Sequence, residues 1–418
     1  KINKENFMES TNGWLDLLKL RVSVGKTGNN SIGFYNSISM LSTANYSYGG
    51  TVTSGLAPST LGNSNLGWES KLSKDLGLDF AFLRGKIQAN FDYYIDDTRD
   101  MLQNVPVSYM SGYSSVLQNV GKVRNSGFEI EITTHNIDGQ LKWSTSFNIS
   151  KNTNKVKELG NGNATIIGTI YSASIGSTIT KVGLPISSYY LYKTDGLLTD
   201  ADFDSGGKAI VPIMAGAEKG NIKVVDFNKD GKIDANDKTN LGTNLPDYLW
   251  GLTNRFSYRN FDLNVLIQAS QGGKLFFLGT RSFDLGANGT NSFTRWVRCY
   301  KPSRTTSTVP TETKVDLSWD GKTPNPFGLN AGTFGNDTWL YDASFLRIKS
   351  VSLGYTVPKS LCSKLHLTNA KIFVAGDNLF TWNHYPGSSP ETNSYGDRTD
   401  QSTGTKVDNG SPTPNMGV

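Results

Sequence analysis

Ile87-Gln88-Ala89-Asn90-Phe91-Asp92-Tyr93-Tyr94-Ile95-Asp96 alternates with a period of two residues. Ile87, Ala89, Phe91, Tyr93 and Ile95 form one apolar parity, and Lys86, Gln88, Asn90, Asp92 and Asp96 form the opposite, polar one. A helix would need its apolar residues at steps of three and four, so this segment is a strand with one greasy face and one wet face. The same parity returns in Phe128, Ile130 and Ile132, in the odd-numbered residues from Leu141 to Ile149, and in those from Phe261 to Ala269. Further strands are predicted over 17–25 and 70–82, and, with weaker alternation, over 248–258, 341–355 and 370–382, nine in all. Between Ile348 and Val351 the parity slips, which predicts a β-bulge.

The connections between these strands alternate in length. Leu83-Arg84-Gly85, residues 135–140, Arg259-Asn260 and the somewhat longer Pro358–Thr368 are short, hairpin-like turns. The intervening connections, 26–69, 98–120, 151–247, 271–340 and 383–418, are long. Loops of that length are uncommon inside compact domains. Short turns on one rim and long loops on the other are the pattern of a transmembrane antiparallel β-barrel, whose strands need about 9–11 residues to cross. Aromatic residues crowd the short-turn ends (Phe80, Phe82, Trp143, Phe256, Tyr258, Phe261 and Tyr355), where an interfacial girdle sits. Alternation alone also fits a soluble sandwich with its apolar face inward. The competing expectation is therefore a secreted, soluble β-rich carbohydrate-binding or adhesion module stabilised by calcium.

Composition agrees with an all-β chain rich in turns. Of 418 residues 44 are Gly, 11% are aromatic and only 18% are charged. The net charge of +5 is mild, and no basic block marks a nucleic-acid footprint. No apolar run reaches the roughly 18 residues of a membrane helix. Cys299 and Cys362 fall in different connections and lack metal spacing.

Several segments resemble the SusC/RagA family of TonB-dependent outer-membrane transporters. They are Leu18 to Asn29 (LKLRVSVGKTGN), Leu117 to Glu129 (LQNVGKVRNSGFE), the acidic run Asp226 to Asp237 followed by Leu241-Gly242, Ser344 to Tyr355 (SFLRIKSVSLGY) and Gly376 to Thr381 (GDNLFT). They occur in the family's order and cover most of the chain. The resemblance implies a barrel of 22 strands in the outer membrane, an N-terminal plug, and TonB-energised import of oligosaccharides or peptides. It also implies a SusD-like surface lipoprotein over the long loops. Residues 1–418 are expected to be the C-terminal portion of such a barrel, about nine strands in contact with outer-membrane lipid, with the plug domain and the closing strand absent.

One local motif points to a metal. Asp226-Phe227-Asn228-Lys229-Asp230-Gly231-Lys232-Ile233-Asp234-Ala235-Asn236-Asp237 follows the calcium-loop spacing D-x-[DN]-x-[DN]-G with an acid at position twelve. Asp226, Asn228 and Asp230 would offer side-chain oxygens, Lys232 its carbonyl, Asp234 a direct or water-borne contact, and Asp237 would close a Ca²⁺ site in place of the usual Glu. Catalytic constellations are lacking. Gly25-Lys26-Thr27 has Leu20 where a phosphate-binding loop needs Gly. His135, His366 and His384 are scattered, and Glu129 and Glu131 fall on a strand's polar face. Aromatics of the long loops (Tyr35, Tyr46, Tyr48, Tyr189, Tyr190, Tyr192, Trp296, Tyr300 and Tyr385) are the candidates for touching cargo, because rings stack on the C–H faces of sugars and on peptide side chains.

Overall fold

The computed structural model describes residues 2–11, 13–30, 32, 35–113, 115–170, 176–279, 294–299, 320–325, 334–387, 389–391 and 407–408. Nine long strands form one sheet: β1 (Leu15–Asn29), β2 (Glu69–Phe82), β3 (Ile87–Pro106), β4 (Ser115–Asp138), β5 (Leu141–Glu158), β6 (Tyr248–Tyr258), β7 (Phe261–Gln271), β8 (Phe345–Thr356) and β9 (Lys371–Asn383). They lie side by side in chain order, each antiparallel to the next, with β1 and β9 at the edges. All nine expected strands are present. The bulge is there too: Ile267 and Leu266 of β7 face Ile348 and Ser350, so Lys349 is the extra residue.

Residues paired across antiparallel strands share a face, so the register converts nine separate alternations into two continuous surfaces. One row reads Leu18, Phe80, Ala89, Ile132, Phe147, Leu252, Ile267, Ile348 and Phe380, apolar on every strand. The next apolar row reads Leu20, Leu78, Phe91, Ile130, Ile149, Trp250, Ala269, Leu346 and Trp382. Between them, on the other face, runs Lys19, Asp79, Asn90, Glu131, Asn148, Gly251, Gln268, Arg347 and Thr381, with no apolar side chain. A soluble sandwich would press a second layer onto the apolar face. Here Val22, Val24, Ile372 and Val374 are each about two-thirds or more exposed.

The apolar band has membrane dimensions. On β9 it runs from Ile372 to Trp382; ten steps of about 3.3 Å at about 45° tilt rise roughly 23 Å, close to the ~25 Å of outer-membrane barrels. Paired aromatics mark its short-turn edge: Trp14 stacks on Phe82, Phe80 on Phe82 and Trp143 on Phe256, and Phe261 tilts against Tyr355. Where polar groups enter this face they satisfy one another. Trp143 Nε1 and the Thr145 hydroxyl both donate to Asn254 Oδ1, and Asn136 Nδ2 donates to Thr145.

Several expected boundaries need correction. The connection read as 135–140 is strand up to Asp138, because a register shift between His135 and Ile137 absorbs one residue and lets pairing continue; only Gly139-Gln140 turns. Residues 98–120 are mostly strand, since β3 runs to Pro106 and β4 begins at Ser115. Register shifts near Met101 break the parity there, which hid this pairing from the alternation test. The connections read as 26–69 and 151–247 likewise lose their first residues to β1 and β5. Pro358–Thr368 contains a short helix, Lys359–Lys364. The long connections also carry structure of their own: a hairpin of Met40–Tyr48 with Thr51–Thr60, a four-stranded sheet within 166–240, and the pair Lys274–Phe277 with Leu340–Asp342. Much of 271–340 and of 383–418 lies outside the described residues.

Candidate functional site: the polar face and the loop cap

The polar face of β1–β5 is laced by side chains that reach across a whole strand. Arg21 of β1 bonds Asp79 of β2 (2.9 Å from Nε) and continues over β2 to Asp92 of β3 (2.8 Å). It passes above Gly77, where an added Cβ would fall 2.4 Å from Asp92 Oδ1 and 2.6 Å from Arg21 Cζ. Tyr94 of β3 does the same over β4. Its ring lies above Gly127, and its hydroxyl donates to Asn152 Oδ1 of β5 at 3.1 Å. Lys371 of β9 likewise passes over Gly354 of β8 to Asp262 of β7 (2.8 Å), while Lys71 of β2 meets Asp96 of β3 (2.6 Å); on the opposite parity Arg124 of β4 forks onto Asp97 of β3 (2.8 and 2.9 Å). Arg347 pairs with Glu391 and donates to Thr381. A polar concavity of about 550 Å³ is lined by Arg21, Asp75, Asp92, Tyr94, Asp96, Asn125, Glu129 and Asn152. Glu129 and Glu131 stand on this wet face, as their parity predicts. Such a wall keeps water and hydrophilic solutes beside it. Single-sequence reading missed Arg21 and Tyr94 because the glycines that make room for them become partners only through the register.

At the long-loop end the chemistry reverses, and apolar groups are enclosed. Ile170, Tyr189, Leu191, Phe276 and Trp339 form a closed core, and Leu275, Phe277 and Tyr385 form a second. Ile222, Val224 and Phe334 form a third, with Tyr192 edge-on to Phe334. This sorts the loop aromatics. Tyr189 and Tyr385 are core residues. The Tyr189 hydroxyl donates to the Lys274 carbonyl at 3.1 Å, and burial pushes its pKa well above the usual phenol value. Tyr192 is half-buried under the Lys238 ammonium, whose pKa burial lowers. Tyr35, Tyr46 and Tyr48 remain largely exposed. Tyr300 lies outside the described residues. In the same cap the Lys223 ammonium, 2.7 Å from Asp202, holds that carboxyl below the usual range, helped by the Thr199 amide.

The acidic loop curls much as its spacing predicts. Lys229 and Gly231 adopt positive φ, and the Asp230 amide points at both Asp226 Oδ1 (3.3 Å) and Asn228 Oδ1 (3.0 Å). Asp226 Oδ2 accepts the Gly231 amide, Asp230 Oδ1 accepts the Lys232 amide, and Asn228 Nδ2 donates to Asp230 Oδ2. The loop thus gathers Asp226, Asn228, Asp230 and the Lys232 backbone on one side. Asp234 caps a short turn by accepting from the Asn236 amide. Asp237 sits behind the curl, fully buried, taking the Phe227 and Asp234 amides. Among the described residues no three His, Cys, Asp or Glu side chains converge as a metal cluster. Cys299 and Cys362 are both buried.

Comparisons agree with this geometry. Residues 11–379 match the family described as "TonB dependent receptor-like, beta-barrel". Similar proteins include TonB-dependent receptor P3 of Formosa agariphila (32% identical; 96% of this chain, 38% of the relative) and TonB-dependent receptor SusC of Bacteroides thetaiotaomicron (28% identical; 94% and 37%). The chain therefore spans about two-fifths of the length of these relatives. Among solved structures, the RagAB peptide importer in its open-open state shares the fold (TM-score 0.72, 24% identity, 97% of this chain and 39% of that one). With a two-faced sheet, aromatic girdle and family match in agreement, the chain belongs to the TonB-dependent receptor-like β-barrel family of the outer membrane.

Proposed function

We propose that this chain forms part of the wall and extracellular cap of a SusC-like importer that takes up oligosaccharides or peptides with energy from the TonB complex. The observation that carries this reading is the pair of nine-strand rows, apolar on one side and polar on the other, which makes the sheet a boundary between lipid and a watery path. The ordered loop cap supports the second half of the proposal: a SusD-like surface lipoprotein docks over it as a lid. Similarity to TonB-dependent receptors supports TonB dependence, and the likeness to the RagAB peptide importer keeps peptides among the candidate cargo. The test is uptake by cells carrying the full-length gene. Deleting the gene or inactivating TonB should abolish growth on the cargo, and the lipoprotein should co-purify. Uptake that persists without TonB removes the proposal.

We also propose that the loop from Asp226 to Asp237 takes Ca²⁺. Asp226, Asn228, Asp230 and Asp234 supply hard oxygens and Lys232 its carbonyl, while buried Asp237 braces the loop from behind. Calorimetry of the full-length protein should show millimolar or tighter Ca²⁺ binding that Asp226→Ala with Asp230→Ala abolishes. Unchanged binding in that variant rules the loop out.

A further inference from the structure

From Thr27 to Trp68 the chain contains no Asp, Glu, Lys or Arg, although 18% of all residues are charged. This span includes the hairpin Met40–Tyr48 and Thr51–Thr60, whose strands are exposed at nearly every position. On one of its faces Tyr46 pairs with Thr53 and Tyr48 with Thr51, so two rings and two hydroxyls stand together. The ring centroids are 6.4 Å apart, and the residues are 56% and 73% exposed. Gly55 lies under the Tyr46 ring, where an added Cβ would touch Cδ1 at 3.5 Å. That ring therefore lies down on the hairpin and turns its outer face to solvent. We propose that this hairpin face is a capture platform for a neutral oligosaccharide, which deepens the importer reading and rests on it.

The argument is one of matching chemistry. A pyranose has apolar C–H faces, uncharged hydroxyl edges and no ionic group. The platform offers exposed rings for the faces, with Ser, Thr and Asn groups for the edges and no charge. Tyrosine with Ser, Gly and Asn is also a low-entropy recognition surface, since the ring has few torsions to freeze. A charged or zwitterionic peptide would find no ionic partner here. Both rings are exposed and support no core, so truncating them leaves folding intact.

The experiment uses the purified full-length receptor in detergent and titrates short gluco-, manno- and galacto-oligosaccharides. At least one should bind the wild type, with an affinity unchanged between low and high salt, because no charge takes part. Tyr46→Ala combined with Tyr48→Ala should weaken that binding roughly tenfold, and the two Phe substitutions should keep it. The inference is overturned if no neutral oligosaccharide binds, if the double Ala variant binds as well as wild type, or if that variant loses only peptide or lipoprotein binding. Should TonB-dependent uptake persist in any of those outcomes, the importer reading stands while the platform falls.

Discussion

The sheet and its cap obey opposite burial rules within one chain. In the sheet, Leu252, Ile130 and Phe147 share the apolar face, while Arg21, Asp92 and Glu131 lie on the opposite, polar one. In the cap, Trp339, Tyr189 and Phe276 are wholly enclosed. The contrast shows that apolar burial is relative to the local solvent. Hydrocarbon already shelters the outer rows, so nothing in the protein needs to cover them, whereas the cap meets water and must enclose its own core.

The largest expected effect lies in the cap. Trp339→Ala empties a closed core and should cost about 3–5 kcal/mol of cap stability. Proteolysis of the long loops should accelerate while the heat-modifiable gel mobility of the barrel stays unchanged. If both change together, cap and sheet are a single cooperative unit. On the sheet, Leu252→Arg puts a charge in mid-band and should cost about 2–4 kcal/mol in a bilayer. Its denaturant midpoint should fall in lipid vesicles, and an unaltered midpoint would mean that this face does not meet lipid. Gly77→Ala comes next, because its Cβ would displace the Arg21 guanidinium from Asp92; about 1–3 kcal/mol is expected from such overpacking.

The smallest effect is a pH dependence confined to the cap. Asp202 has a lowered pKa in the folded protein, through Lys223 and the Thr199 backbone. Its contribution is thus fully present above the unfolded Asp value near 3.9 and is lost as pH falls through the folded value. Protection of loop amides against exchange should weaken as pH falls across that acid range. Asp202→Asn should flatten the profile, and a variant that kept the wild-type acid slope would place the titration elsewhere.

The strands were legible because alternation is a local property. Ile87 to Ile95 announces its two faces without reference to any partner. Even the bulge at Lys349 showed as a parity slip. The outer reaches of β3 and β4 were lost because register shifts near Met101 interrupt the period there. The cap's strands of three to five residues, such as Ser188–Tyr192, are too short to carry a period at all. For that reason sequence ranked Tyr189 and Tyr46 alike, although one is sealed in a core and the other lies open on a hairpin. The spacing of Asp226, Asn228 and Asp230 did foretell a curled loop, but not that Asp237 would turn its carboxylate to backbone amides behind it.

The great length of β3 and β4 has one more consequence. β4 has 24 residues; at about 3.3 Å each and about 45° tilt, such a strand climbs roughly 55 Å, about twice the apolar band. The upper half of this strand pair therefore rises as a mast above the lipid surface. The pairing at its top, Val105 with Val116 and Pro106 with Ser115, thus stands in open water, well clear of the crowded headgroups.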